Sequence, residues 1–111
     1  MNQAPTLFYE LWISFASLVQ CYAATSLMAD PKAIYETKTE SDLIWMIRVN
    51  QKRLVLMGSN SPEGTWKIED LDETELSTGT INLNEQGMAG VNGEPFTAMD
   101  EAAEILAAKI F

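Results

Sequence analysis

The sequence feature that most constrains the fold is a pair of apolar runs at residues 42–57, separated by a short polar break at residues 50–52. Two β-rich runs around such a break are typical of a β-hairpin. Successive side chains of a strand alternate between its two faces, so the first run is apolar on one face, and Arg48 alone interrupts the other. A strand that is apolar on both faces requires cover on both. The hairpin therefore predicts where the core lies.

The amino-terminal segment is the most apolar part of the chain. Glu10 is the only charged residue between Thr6 and Ala29. Polar residues recur at helical spacing and leave most of the remaining surface apolar, which predicts one helix of about 22 residues with Thr6 as its N-cap. Asp30 and Pro31 predict its end. Such a helix is long for 111 residues, so we expect a curved sheet to wrap it or a second subunit to cover part of it.

Two other interpretations apply to the same segment. A signal peptide would place its cleavage site near Cys21, but no lysine or arginine precedes the apolar run, as a signal peptide requires. A membrane span is disfavoured by Glu10, the serines and Gln20. With a single cysteine the chain forms no intrachain disulfide, which fits a reducing compartment. We therefore expect a buried helix in a cytoplasmic protein without a membrane role.

The rest of the chain predicts strands and then a helix. Residues 65–70 and 78–84 alternate between apolar and polar side chains, as half-buried strands do. Residues 88–91 predict a short strand and Asn92-Gly93 a tight turn, while residues 34–37 suggest a short first strand. Near the end, Thr97 and Asp100 resemble a capping box, followed by an apolar stripe at helical spacing. We expect a single α+β domain over residues 1–111: a long N-terminal helix, an antiparallel β-meander of four to five strands, and a C-terminal helix packed on the sheet.

Charge is distributed unevenly along the chain, whose formal net charge is −9. Residues 63–104 contain eleven acidic residues and one basic residue, whereas residues 30–62 contain four acidic and five basic residues. Binding to nucleic acid requires clustered lysine and arginine, so this distribution argues against it and favours a basic protein partner. The predicted acidic patch consists of Glu69, Asp70, Asp72, Glu73 and Glu75.

Residue types that commonly carry catalysis are scarce. The chain has no histidine and one cysteine, which removes the commonest general base and the commonest ligands of transition metals. The acidic stretches beginning at Asp70 and Asn82 match a calcium-binding loop only in part. The glycines at positions 87, 90 and 93 match no phosphate-binding motif. We therefore predict no catalytic, cofactor-binding or metal-binding residue, and no enzyme activity.

These observations favour a non-enzymatic protein-interaction module that acts as a homodimer and binds or inhibits a basic partner protein. Apolar surface left by the long helix or by the outer face of the sheet would form the dimer seam. The alternative is a small-molecule binding protein with an apolar pocket between the N-terminal helix and a curved sheet. The candidate residues for the pocket or the seam are Trp12, Phe15, Trp45, Met46 and Trp66.

Overall fold

A computed structural model of the chain describes residues 7–28, 30–59 and 61–111. One helix precedes an antiparallel sheet, and a second helix follows it. The seven strands found among the described residues pair in sequence order, which makes the sheet a meander and confirms the predicted α+β fold. The elements are α1 (Leu7–Leu27), β1 (Tyr35–Ser41), β2 (Ile44–Val49), β3 (Lys52–Met57), β4 (Glu63–Asp70), β5 (Glu75–Leu83), β6 (Met88–Val91), β7 (Thr97–Ala98) and α2 (Met99–Ala108).

The sheet has more strands than the four or five predicted. β7 is two residues long, too short to leave a pattern in the sequence. β1 was suggested only at residues 34–37, because it is exposed along nearly its whole length and therefore lacks the apolar alternation that identifies a half-buried strand. β5 begins at Glu75, three residues before the predicted strand, because its first residues pair only with β4.

The predicted central hairpin is present as β2 and β3. Ile47 pairs with Leu54 at its centre, and both side chains are fully buried. Asn50 occupies the turn with φ +55°, a conformation that asparagine tolerates better than most residues. Its side-chain oxygen accepts a hydrogen bond of 3.0 Å from the backbone N–H of Ile34, which joins the start of β1 to this turn.

Both helices contribute to a core on one face of the sheet, which we call the inner face. α1 packs against α2 and against β1 and β2, and α2 also contacts β6 and β7. Small side chains on α2 let it pack closely. The fully buried side chains from both layers include Phe15, Val19, Ile47, Leu54, Trp66, Ile81, Leu106 and Ile110.

The long N-terminal helix is confirmed, since α1 contains 21 residues, about 31 Å of helix. Two tyrosines connect it to the sheet. The Tyr9 hydroxyl donates a hydrogen bond to the Asp42 carboxylate, and this bond raises the pKa of Tyr9. The Tyr35 hydroxyl donates to the Gln20 carbonyl at 3.1 Å. The predicted N-cap, Thr6, lies outside the described residues. In the described part of the chain, no helix combines the length and apolarity needed to cross a membrane.

The loop between β3 and β4 is shaped around Trp12 of α1. The indole N–H of Trp12 donates a hydrogen bond of 3.0 Å to the Ser61 carbonyl. A Cβ placed on Gly58 would lie 2.7 Å from the Trp12 ring, and one placed on Gly64 would lie 2.5 Å from it. Glycine at both positions therefore allows the loop backbone to lie directly against the indole.

The start of α2 differs from the predicted capping box. Ala98 occupies the N-cap and supplies no side-chain hydrogen bond. Thr97 belongs to β7, and its hydroxyl instead donates to the Glu101 carboxylate at 2.5 Å. The prediction was wrong because the β6–β7 pairing extends the strand to the residue before the helix, which leaves Thr97 one position too early to cap it.

We expect Gly58→Ala to lower the free energy of unfolding by about 1–3 kcal/mol, because the added methyl group collides with the buried Trp12 ring. Urea denaturation measures this change. Ser14→Ala, at an exposed position of α1, is the control and should change stability by less than about 0.5 kcal/mol. Equal unfolding midpoints for Gly58→Ala and the parent protein would contradict the close packing of this loop.

Candidate functional site

The second face of the sheet, which we call the outer face, has no helix over it in the described part of the chain. Strand register places Met46 beside Val55, and Val55 beside Lys67, in one row across this face. The adjacent row places Arg48 beside Arg53. Val55 is only 3% exposed because the long side chains around it cover it. The two-faced apolar pattern of β2 therefore reflects a small apolar centre surrounded by charged residues.

A groove of about 410 Å³ crosses this face, and we call it the outer groove. Arg48 forms an ion pair with Glu36 at 2.9 Å, but both side chains are partly exposed, so the pair adds little stability. Nε of Arg53 is buried and has no hydrogen-bond partner among the described residues. The groove is lined by Glu36, Thr37, Lys38, Glu40, Met46, Arg48, Arg53, Leu71 and Glu73. It thus combines an apolar centre with charges of both signs.

The predicted acidic patch is divided between two environments. Glu69 is only 5% exposed and lies opposite Arg53 in the β3–β4 ladder. Asp70 is half-buried, and its carboxylate accepts hydrogen bonds from the backbone N–H groups of Asp72 at 2.8 Å and Thr74 at 3.0 Å. Neither carboxylate is as exposed as those of the other three residues.

The exposed members of the patch lie at the connection between β4 and β5. We call this region the acidic tip; it comprises Leu71, Asp72, Glu73, Glu75 and Leu76. All five side chains are exposed, Leu76 by 52%. The extra residue of a β-bulge in β5 is Leu76, because Ile68 pairs with Ser77 and Glu69 with Glu75. The tip therefore presents carboxylates and apolar side chains together.

The candidate pocket or seam residues occupy different environments. Trp12, Phe15 and Trp66 are buried in the core between the helices and the sheet. Trp45 is half-buried against the same core, and Met46 lies on the opposite face, in the outer groove. The arrangement brings four of the five to the helix-covered side but does not assemble them around a described cavity. The small-molecule alternative gains no support from it.

One stretch of β5 has an unpaired backbone edge. β6 pairs with β5 only at residues 81–83. Asn92 then closes the ladder, because its N–H donates to the Thr80 carbonyl at 2.8 Å and its side-chain oxygen accepts from the Thr80 N–H at 3.1 Å. Beyond this point, residues 75–79 pair with β4 alone among the described residues. We call this stretch the open edge.

A tryptophan and an asparagine lie at the end of the open edge that adjoins β6. The indole N–H of the buried Trp66 donates to the same Asn92 oxygen at 3.1 Å. Gly79 pairs with Trp66 across the ladder, and a Cβ on Gly79 would lie 1.9 Å from that oxygen. Glycine is therefore required there for the hydrogen bond to form. Nζ of Lys109 lies 5.7 Å from the centre of the Trp66 ring, within the range of a cation–π contact.

A cavity of about 460 Å³ lies between α2 and the loop that precedes β7. Asn92 and Lys109 line it, so it adjoins the open edge through the two residues that contact Trp66. Ile105 is 53% exposed here. The remaining lining residues are Val91, Glu94, Pro95, Thr97 and Ala102.

These surfaces offer exposed carboxylates, exposed apolar side chains and unpaired backbone groups. Among the described residues, no three acidic or cysteine side chains converge as metal ligands. Cys21, the single cysteine, is exposed on α1. The acidic residues of the tip are evident from the sequence, but the open edge is not. An edge depends on how far neighbouring strands extend, and the four-residue length of β6 leaves no local signal in β5.

Comparison of the chain with protein-family models, with curated proteins and with solved structures found no match in any of the three. Functional inference therefore depends on the surfaces described above.

We expect Asn92→Gly to lower the free energy of unfolding by about 1–3 kcal/mol, since it leaves the buried indole N–H of Trp66 without a partner. Glycine adopts the positive φ of +58° at this position readily, so the loss of stability comes from removing the asparagine side chain. Asn50→Gly is the matched control, because Asn50 also has a positive φ but its side chain accepts a hydrogen bond from an exposed N–H. Thermal unfolding followed by near-UV circular dichroism compares them, and equal losses would contradict the special role of Asn92.

Proposed function

We propose that this chain is a non-enzymatic protein-interaction module that acts as a homodimer and binds a basic partner protein. The observation that carries the proposal is the acidic tip, where Asp72, Glu73 and Glu75 are exposed beside two exposed leucines. Described basic residues do not form an ion pair with these carboxylates. Such a surface attracts a basic partner at long range and contacts its apolar side chains at short range.

Support for the homodimer comes from the outer face. Its apolar centre includes Met46 and Val55 in one row, with Ile44 beside Met57 in the next. A second copy of the chain would cover Ile44, Met46 and Met57, which are not buried, by packing the same face against them, as a two-fold interface requires. Of the seam residues predicted from the sequence, Met46 is the one on this face.

Neutralising the tip with Asp72→Asn, Glu73→Gln and Glu75→Gln should weaken binding of a lysine-rich peptide about tenfold, because three exposed charge pairs are lost at about 0.5 kcal/mol each. Isothermal titration at about 0.1 M salt measures this. The matched control neutralises Asp100, Glu101 and Glu104 of α2, which are also exposed. The proposed role of the tip fails when both triple variants lose affinity equally.

Substituting Met46→Asp should convert the dimer to a monomer in sedimentation velocity at about tens of micromolar protein, because the seam would then bury an unpaired charge. Thr80→Asp is the control, since Thr80 is exposed on the same face, two strands away from the apolar centre. A parent protein that sediments as a monomer, or a Met46→Asp variant that remains dimeric, removes the homodimer from the proposal.

A further inference from the structure

Among the described residues, β1 and the open edge of β5 both present unpaired backbone, and they differ in their protection against strand pairing. β1 is the first strand of the sheet and, in the described part of the chain, pairs only with β2. It carries Lys38 between Glu36 and Glu40, and its register shifts between Thr39 and Ser41. Edge charges, lysine above all, and bulges discourage another strand from pairing. The β1 edge therefore has the features of a protected edge.

The open edge of β5 is less protected, because its bulge lies at Leu76, near its start, and residues 77–79 continue the regular ladder. Residues 75–79 contain neither lysine nor proline, and Glu75 is their only charge. Thr80 directs both backbone groups toward Asn92. Since these directions alternate along a strand, the N–H and C=O of Thr78 also point to the side from which β6 is missing. These groups are available to a strand of another chain.

We propose that a segment of the basic partner binds as an added β-strand along the open edge, antiparallel to β5 and in line with β6. This rests on the proposed function, because it specifies how the basic partner binds. Backbone hydrogen bonds to Thr78 supply affinity, and side chains on alternate positions supply specificity. On the inner side, an apolar side chain of the segment enters the cavity beside Ile105.

Charge around the edge selects a basic segment. Glu75 lies on the strand, Asp72 and Glu73 lie at its start, and Glu94 lines the cavity. Lys109 is the one basic residue of the cavity lining, and its ammonium group lies over the Trp66 ring. An extended segment that alternates basic and apolar side chains would place its charges near these carboxylates and its apolar groups on the inner side.

The probe is a synthetic peptide of alternating lysine and valine, about eight residues long, with a glutamate–valine peptide as its counterpart. Amide hydrogen exchange of the full chain is followed by NMR. We expect the lysine–valine peptide to slow exchange of the Thr78 N–H and to leave that of Thr37 unchanged. Thr37 is the matched position on β1, because Ile34 directs its own backbone groups toward Asn50 and alternation leaves Thr37 pointing to solvent.

Proline at an edge position removes an outward N–H without breaking the ladder. We expect Thr78→Pro to weaken peptide binding at least about tenfold, the effect of losing one or two hydrogen bonds, and Thr37→Pro to leave it unchanged. Ile105→Lys, which charges the cavity, should also weaken binding, whereas Ile34→Lys at another exposed apolar position should not. If Thr78→Pro lowers the melting temperature, the effect of Ile105→Lys on peptide binding still tests the proposal.

Three results overturn strand addition: no binding of the lysine–valine peptide, binding that leaves Thr78 unprotected, or full affinity in both Thr78→Pro and Ile105→Lys. A peptide that loses affinity when the acidic tip is neutralised but does not protect Thr78 would remove strand addition and leave the proposed function intact. Equal binding of the glutamate–valine peptide would remove the selection for basic segments.

Discussion

The packing of two tryptophans against the inner face of the sheet is the constraint on which the rest of the structure depends. Each buried indole needs a hydrogen-bond acceptor, because an unpaired buried N–H is costly. Trp12 donates to the Ser61 carbonyl and Trp66 donates to the Asn92 side chain. Both acceptors belong to loops, so the core determines the course of those loops. Glycines at positions 58, 64 and 79 leave room for the rings.

The regular part of the fold was predictable because its signals are local. The apolar face of β2 and the apolar character of α1 are visible in short stretches of sequence, and the meander follows from short connections. β7 was not predictable in the same way, and residues 34–37 suggested only the beginning of β1. A polar edge strand such as Tyr35–Ser41 is held by pairing with its neighbour, so its own side chains carry no periodic pattern. Thr97 is a strand residue for the same reason, because it is held by pairing with β6.

The functional surfaces were predictable in composition but not in arrangement. The acidic stretch at residues 69–75 is evident from the sequence, yet strand pairing places Glu69 next to Arg53 and turn hydrogen bonds occupy Asp70. The first contact joins residues on different strands, so no spacing along the chain reports it, and the second depends on the conformation of the turn. The burial of Val55 and the partial burial of Met46 on the outer face likewise depend on the row formed by three neighbouring strands.

The open edge exists because β5 is longer than β6, and this difference in length depends on a contact in the core. β5 has nine residues and β6 has four, and Asn92 ends their pairing because its side chain must reach Trp66. The chain therefore turns away from β5 at Asn92, the residue that accepts the hydrogen bond of the buried indole. Extending β6 to cover the edge would move Asn92 away from the indole and leave its N–H unpaired. The exposed backbone of residues 75–79 is therefore a direct consequence of how Trp66 is held in the core.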